Sequence, residues 1–206
     1  MESQKDWRRQ ALAARECLSP TELADKSAAI TERLLARAEM AAGRRVMFYA
    51  SFRSEVNTWA AMALGLARGV EVVLPVVLAA DHRLQPRLVT DLTGQLRPGY
   101  CDIPEPDPEL TGPVDSREIA VVIVPGSVFD SQGGRVGYGG GFYDRFLQQE
   151  APQALRIGLA FAVQVVAGNL PLADHDQRLD LLITEERVYE FTGNRQPSAA
   201  GSQLRR

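Results

Sequence analysis

Five short apolar runs, rich in branched side chains, are the feature that most constrains the fold of this chain. They lie at Val46–Ser51, Val70–Val77, Ile119–Pro125, Arg156–Phe161 and Leu181–Thr184. Runs of this length and composition are typical of buried β-strands. Helical patterns separate some of them, at Asn57–Arg68 and Gly141–Gln149. The alternation predicts an α/β fold: a single domain with a mainly parallel twisted sheet and helices on both faces, as in a Rossmann-like three-layer sandwich.

The first forty residues predict two helices. Residues 3–17 have the pattern of an amphipathic helix. Residues 19–22, Ser-Pro-Thr-Glu, then form a helix start, with a Ser cap, a Pro in the first turn and a Glu three residues after the cap. This second helix is expected to run to about Glu39.

Two further segments depart from the alternation. The stretch from Leu84 to Pro108 is rich in proline and polar residues, which predicts irregular chain with one or two extra strands. Residues 193–206 have almost no apolar content and are predicted to be a disordered tail, so that residues 1–192 form the single domain.

Composition excludes several classes of protein. The 206 residues carry a net charge of −3, which disfavours a basic nucleic-acid binder, and no apolar run is long enough to span a membrane. The first ten residues are polar, without the pattern of a secretory signal. Cys17 and Cys101 lie far apart and outside any C-x-x-C pattern, as expected of free thiols in a reducing compartment. We therefore expect a cytoplasmic protein, monomeric because no coiled-coil seam is present, with small-molecule partners and no nucleic-acid or membrane partner.

The chemistry is concentrated in a glycine-rich stretch that follows the third predicted strand. Between residues 125 and 147 the chain leaves that strand, passes six glycines at positions 133–141 and enters a predicted helix. Glycines let backbone N–H groups converge on an anion, and a helix start adds its positive end. Arg135 and Arg145 flank the glycines and can neutralise phosphate oxygens. The pattern favours phosphate binding, although a flexible surface loop or a tight packing turn would have the same composition.

The common nucleotide motifs do not match this stretch. No Lys follows any of the glycines, as a Walker loop requires. Gly137-x-Gly139 is followed three residues later by Phe142 where a dinucleotide fingerprint needs glycine. A Rossmann oxidoreductase is therefore disfavoured.

The glycine stretch, with four other segments in the same order, resembles the 5-formyltetrahydrofolate cyclo-ligase family. The stretch GRVGYGGGFYDRFL is similar to the signature of that family. KDWRRQALAARECLSPTE resembles its first helix, FYASFRSEVNT its strand-to-helix turn with a substrate-contacting Glu, DIPEP its mid-chain I-P-E-P element, and LPLADHDQRLDLLITEE its closing metal-binding segment. The five segments cover nearly the whole chain to about residue 190.

The resemblance implies an ATP site and a magnesium site. The implied ATP contacts are Lys5, Arg8, Arg9, Arg135, Val136, Gly137, Tyr138, Gly139, Gly140, Gly141, Phe142 and Tyr143. Asp144 and Asp176 match the two carboxylates that hold Mg²⁺, which prefers hard oxygen ligands and completes its octahedron with waters and phosphates. From the residues alone, Lys5 and Arg9 fit a solvated helix end better than a ligand site. Asp144 could equally stabilise a helix start, and Asp176 could be a turn residue.

The resemblance also implies a folate site. Arg9, Ala50, Glu55, Tyr138, Gly139, Gly140, Gly141 and Phe142 match its substrate-binding residues, with Glu55 placed to pair with the N–H donors of a pterin ring. Glu55 could instead be a residue favoured near a helix start. His82 and His175 match nothing catalytic. Gly140 stands where some members carry Lys, so Arg135 or Arg145 is expected to supply charge to the transferred phosphate, with Tyr143 as a further catalytic candidate.

The implied reaction is the ATP- and Mg²⁺-dependent closure of 5-formyltetrahydrofolate to 5,10-methenyltetrahydrofolate. Two alternatives stay open at this point. One is a cyclo-ligase-like paralogue that acts elsewhere in metabolism, and the other is a nucleotide- or folate-binding protein without this turnover.

Overall fold

The computed structural model describes residues 2–191, which form a seven-stranded sheet with helices on both faces. The helices are α1 Gln4–Glu16, α2 Pro20–Leu35, α3 Trp59–Ala67 and α4 Phe142–Gln149. The strands are β1 Arg45–Met47, β2 Glu71–Leu78, β3 Arg83–Val89, β4 Leu96–Pro98, β5 Pro104–Pro106, β6 Val121–Val124, β7 Val128–Asp130, β8 Arg135–Val136, β9 Leu155–Leu159, β10 Val165–Val166, β11 Leu181–Ile183 and β12 Val188–Glu190. The predicted tail at 193–206, and with it the domain boundary at 192, lies outside the described residues.

The main sheet has the strand order β12-β11-β9-β6-β1-β2-β3. Its five inner strands are parallel, and these are the five strands predicted from the apolar runs. The two edge strands, β3 and β12, run antiparallel to their neighbours. Val46 lies in register between Val72 of β2 and Val121 of β6, in the middle of the sheet. The prediction of a mainly parallel sheet is confirmed.

Alternate residues of these strands enter two separate apolar cores. One core packs Val46, Val72 and Val121 against side chains of α2 and α3. The other packs Met47 and Val122, on the opposite face, against Phe146 and Leu147 of α4. Because each inner strand is buried on both faces, it is apolar almost throughout, and this explains the sequence pattern.

The predicted helix starts are present, whereas one predicted helix end is wrong. Ser19 caps α2 in a reciprocal capping box with Glu22, as its sequence indicated. The helix ends at Leu35 and not at Glu39, because Arg37 adopts an extended conformation (φ −77°, ψ 143°). A 3₁₀ turn at residues 38–40 then buries Met40.

The irregular segment contains three strands, β3, β4 and β5, where one or two were predicted. β3 pairs with β2 along seven residue pairs, and β4 and β5 form a hairpin in which β5 contacts β2. A second small sheet, in the order β10-β7-β8, was not predicted. Two of its strands, β7 and β8, lie within the glycine-rich region, and the sheet packs against α1 through Ala11, Val128 and Val136.

No helix within residues 2–191 is both long enough and apolar enough to cross a membrane.

Candidate active site

A cavity of about 540 Å³ opens where β1 and β6 end and α4 begins. Ligand sites of open parallel sheets lie at this carboxyl edge. Residues of the segments 49–55 and 135–144 and of one face of α1 line part of the cavity. Residues of β2, β3 and the segment 100–105 line the rest.

The first part of the glycine stretch has a structural role. β7 and β8 form a hairpin whose turn is held by the fully buried Asp130. Its carboxylate accepts the N–H groups of Gln132 and Gly134 at 2.8 and 2.7 Å, and that of Leu170 at 2.9 Å. A Cβ atom on Gly134 would lie 2.2 Å from this carboxylate, so only glycine fits there. Gly133 and Gly134 therefore shape the hairpin and do not line the cavity.

The second part of the stretch forms the floor of the cavity. Every residue from 137 to 144 lines it. None of the amide N–H groups of these eight residues has a hydrogen-bond acceptor among the described residues. Gly139 and Gly141 adopt left-handed conformations (φ 97° and 66°), which let the chain turn into α4. A run of unpaired N–H groups at a helix N-terminus is a binding site for an anion such as phosphate.

Two arginines adjoin this floor in different ways. Nε of Arg8 donates to the carbonyl of Gly137 at 2.8 Å, and its two Nη atoms have no partner within residues 2–191. Arg135 is buried beneath the loop, with 3% of its side chain exposed, and its Nη2 forms a 2.6 Å ion pair with Asp144. Nη1 of Arg135 donates to the carbonyl of Pro125. Arg8 thus has donors free for a ligand, whereas Arg135 is engaged in positioning Asp144.

The two predicted metal ligands line the same cavity and fit Mg²⁺. Oδ1 of Asp144 accepts from Arg135 and from the N–H of Gln177 at 3.0 Å, while its Oδ2 accepts no hydrogen bond from the described chain. Oδ2 of Asp176 accepts from Gln4 and Ala173 at 3.0 and 2.8 Å, and its Oδ1 is likewise left without a hydrogen bond. Each carboxylate is anchored by one oxygen and presents the other, as expected of a hard-cation ligand.

The candidate metal site consists of these two carboxylates. No group of three or more Asp, Glu, His or Cys side chains is assembled for metal binding anywhere in residues 2–191. Waters and phosphate oxygens would have to complete the coordination of Mg²⁺.

Glu55 lies on the facing wall within a hydrogen-bonded chain. Its Oε2 accepts the N–H of Phe52 at 2.9 Å, and its Oε1 accepts the hydroxyl of Tyr138 at 2.6 Å. The same hydroxyl accepts from Nη1 of Arg15 at 3.0 Å, and Nε of Arg15 donates to Ser54 at 3.0 Å. Arg15 is buried. This series of hydrogen bonds joins α1, the turn after β1 and the glycine stretch.

Three tyrosines surround this carboxylate. Burial, and then the negative charge of Glu55, raise the pKa of Tyr138 and of Tyr143 well above the ordinary tyrosine value of 10.0. The same two causes raise the pKa of the buried Tyr49. All three phenols stay protonated at neutral pH and can act as hydrogen-bond donors.

The structure does not bring every predicted residue into the cavity. Lys5 and Arg9 are exposed on α1, with Arg9 ion-paired to Asp6 at 3.0 Å. The cavity faces Gln4 and Arg8 instead, because neighbouring helix positions point about 100° apart. Arg145 is exposed, and its Nη1 donates to the carbonyl of His82 at 3.3 Å, away from the cavity. The other predicted site residues do face the cavity. They are Arg8, Ala50, Glu55, Arg135, Val136, Gly137, Tyr138, Gly139, Gly140, Gly141, Phe142, Tyr143, Asp144 and Asp176.

Sequence reasoning did not identify Gln4, Arg15 or Tyr49 as site residues. Gln4, Arg8 and Arg15 are spaced by four and seven positions, which places them on one helix face. That spacing was a usable signal. The burial of Tyr49 beside Glu55 follows from tertiary packing and has no local signature.

Fold and site together define a single-domain α/β protein with a ligand cavity at the carboxyl edge of its parallel strands. The chain belongs to the 5-formyltetrahydrofolate cyclo-ligase family, whose model matches residues 1–185. A 5-formyltetrahydrofolate cyclo-ligase of Saccharomyces cerevisiae is 31% identical over 185 residues, which cover 78% of this chain and 85% of the relative. One of Haemophilus influenzae is 30% identical over 158 residues, covering 75% and 83%.

A solved structure is similar over the whole domain. The 5,10-methenyltetrahydrofolate synthetase of Aquifex aeolicus superposes with a TM-score of 0.81 at 26% identity, covering 98% of this chain and 99% of that one. The resemblance seen in the five sequence segments is therefore confirmed at the level of the family and of the fold.

Proposed function

We propose that this chain is a 5-formyltetrahydrofolate cyclo-ligase that uses ATP and Mg²⁺ to form 5,10-methenyltetrahydrofolate, ADP and phosphate. Family membership supports the substrate. The observation that carries the ATP part is the floor of unpaired N–H groups at residues 137–144, which is built for phosphate oxygens.

The chemical problem is that the oxygen of the formyl group is a poor leaving group. In the proposed first step this oxygen attacks the γ-phosphorus of ATP, and the bond from that phosphorus to the bridging oxygen breaks to release ADP. Nitrogen 10 of the folate then attacks the formyl carbon and gives up its proton to solvent, the carbon–oxygen bond breaks, and phosphate leaves with that oxygen. Such phosphoryl transfer requires chiefly alignment and charge stabilisation from the protein.

The residues of the cavity match these requirements. The N–H groups of residues 137–144 and the free Nη atoms of Arg8 would bind and orient the phosphates. Asp144 and Asp176 would hold Mg²⁺, which when bound adds positive charge beside the phosphate oxygens. Arg135 would act by fixing Asp144.

On the facing wall, Glu55 would accept hydrogen bonds from the pterin. Tyr138 already donates to this carboxylate, so ligand binding has to share or displace that bond. Tyr143 is a donor close to the same group and would position nitrogen 10 or the departing phosphate.

A direct test follows the absorbance of the methenyl product in a mixture of purified protein, 5-formyltetrahydrofolate, Mg²⁺ and ATP. We expect a rise that requires all three small molecules. Asp176→Asn removes one metal-binding charge and should lower turnover on the order of a hundredfold or more. Asp174→Asn is the matched control, because Asp174 is exposed two residues away and does not line the cavity.

The outcomes separate the proposal from its rivals. Without a rise in absorbance, ATP binding by the chain would favour a paralogue with another substrate or a nucleotide-binding protein without turnover. Equal loss in both Asn variants would remove the assigned role of Asp176.

A further inference from the structure

A buried carboxylate on the cavity wall opposite the glycine stretch has no role in the reaction described above. Glu105, in the hairpin of β4 and β5, is 8% exposed and lines the cavity. Its Oε1 accepts the N–H of Tyr100 at 3.0 Å. Within residues 2–191 it makes no other hydrogen bond and no ion pair, since Arg97, its partner across the ladder, pairs with Asp107 instead.

The local backbone is shaped around this side chain. A Cβ atom on Gly99 would lie 2.3 Å from the Glu105 carboxyl carbon, so the absence of a side chain at 99 allows the carboxylate to fold over the turn. The second oxygen of Glu105 is not fully buried and faces the open cavity, since the residue lines that cavity and its first oxygen is held by the Tyr100 N–H. A ligand that fills the cavity displaces water from this oxygen and has to supply a hydrogen-bond donor in its place.

The surroundings restrict what that donor can be. The same wall carries the apolar side chains of Pro75, Val77, Leu84 and Ile103. Phe142 adjoins it, with its ring centroid 6.0 Å from that of Tyr100. An apolar wall with aromatic rings suits a flat ring, and the carboxylate repels anions such as phosphate or a glutamate tail.

We infer that Glu105 is a specificity-determining residue that accepts a hydrogen bond from the amino-bearing edge of a heteroaromatic ring bound in the cavity. Both ligands of the proposed function, on which this inference rests, carry such an edge: the 2-amino group of the pterin and the 6-amino group of adenine. The phosphates bind at the glycine stretch, and Glu105 selects the ring.

The test is equilibrium binding of each ligand separately, by calorimetry, to Glu105→Gln and to unaltered protein. Glutamine retains an oxygen for the Tyr100 N–H and presents an NH₂ group to the ligand. The packing is therefore kept, while the side chain can no longer accept a hydrogen bond from the ligand. We expect affinity for one ligand to fall about tenfold to a hundredfold, with an unchanged thermal midpoint. Loss confined to 5-formyltetrahydrofolate assigns Glu105 to the pterin, and loss confined to Mg²⁺-ATP assigns it to adenine.

Glu109→Gln is the matched control, because Glu109 is exposed four residues further on and outside the cavity. Unchanged affinity for both ligands in Glu105→Gln would overturn the inference while leaving the proposed function intact. Equal loss for both ligands with a lowered thermal midpoint would also overturn it, as a structural effect. Failure of the unaltered protein to bind either ligand would overturn the inference and the proposed function together.

Discussion

Arg8 and Arg9 are neighbours in the sequence and have different surroundings in the fold. Arg8 is half-buried and donates to the carbonyl of Gly137. A Cβ atom on Gly139 would lie 3.6 Å from its Nη2, which shows how closely the guanidinium adjoins the loop. Arg9 has 73% of its side chain exposed and pairs with Asp6. If phosphates bind at the loop, the charge of Arg8 contributes to their binding and that of Arg9 does not.

We therefore expect Arg8→Gln to raise the KM for ATP about tenfold or more, through the loss of charge-assisted hydrogen bonds. The KM of Arg9→Gln for ATP should stay within about twofold of that of the unaltered protein, since exposed ion pairs contribute little. Steady-state kinetics on the two variants checks this directly. A larger effect from Arg9 would mean that α1 rotates or shifts when the nucleotide binds.

At the scale of elements, the hairpin of β7 and β8 positions the cavity floor at residues 137–144, where we propose that phosphates bind. Asp130 holds its turn with three N–H contacts in a fully buried setting. In Asp130→Asn an NH₂ group replaces one accepting oxygen and leaves a buried donor facing a donor. We expect the free energy of unfolding to fall by about 2–4 kcal/mol, measured by urea denaturation.

Asp91→Asn gives the matched comparison for this change. Asp91 is exposed, and its carboxylate accepts from the N–H and hydroxyl of Thr93 and from the N–H of Gly94, so it also holds a turn but in contact with solvent. Asp91→Asn should lower the free energy of unfolding by less than about 1 kcal/mol. Similar losses in the two variants would show that burial of the hairpin turn is not what stabilises it.

The elements also show what the sequence could and could not predict. The inner strands were predictable because burial on both faces leaves an unbroken apolar run, as in β6 with its four valine and isoleucine residues. The cavity-facing side of α1 was predicted only in part: Arg8 was identified and the spacing of Gln4, Arg8 and Arg15 was available, but charged residues occur on every side of the helix and its partners lie far away in sequence. Arg15 contacts Tyr138 across 123 positions, and Tyr138 contacts Glu55 across 83. The end of α2 was missed because helical propensity continues beyond Leu35 while packing of Met40 requires a turn.

At the scale of the whole molecule, the tyrosines around Glu55 link stability to alkaline pH. Burial and Glu55 raise the pKa values of the buried Tyr49 and the partly buried Tyr143, so the folded state holds their protons more tightly than the unfolded chain, whereas Tyr138 is 50% exposed and solvent weakens its contribution. Stability from this source is fully present below the unfolded tyrosine pKa of 10.0 and is lost as pH rises from there through the folded values. Lys26 acts in the same direction at higher pH, because its hydrogen bond to Glu185 raises its pKa above 10.5.

Tyr143→Phe isolates one of these contributions, because the Tyr143 hydroxyl forms no hydrogen bond in residues 2–191 and its removal leaves no partner unpaired. Each tightly held proton contributes a slope of about 1.4 kcal/mol per pH unit above the unfolded pKa. Urea denaturation across the alkaline range should therefore give a shallower decline for Tyr143→Phe, with stability near neutral pH within about 0.5 kcal/mol of the unaltered protein. An identical decline in both would mean that Tyr143 ionises in the folded state as readily as in the unfolded chain. Turnover measured on the same variant tests whether the Tyr143 hydroxyl takes part in the reaction. Activity equal to that of the unaltered protein would remove the hydroxyl from the proposed mechanism.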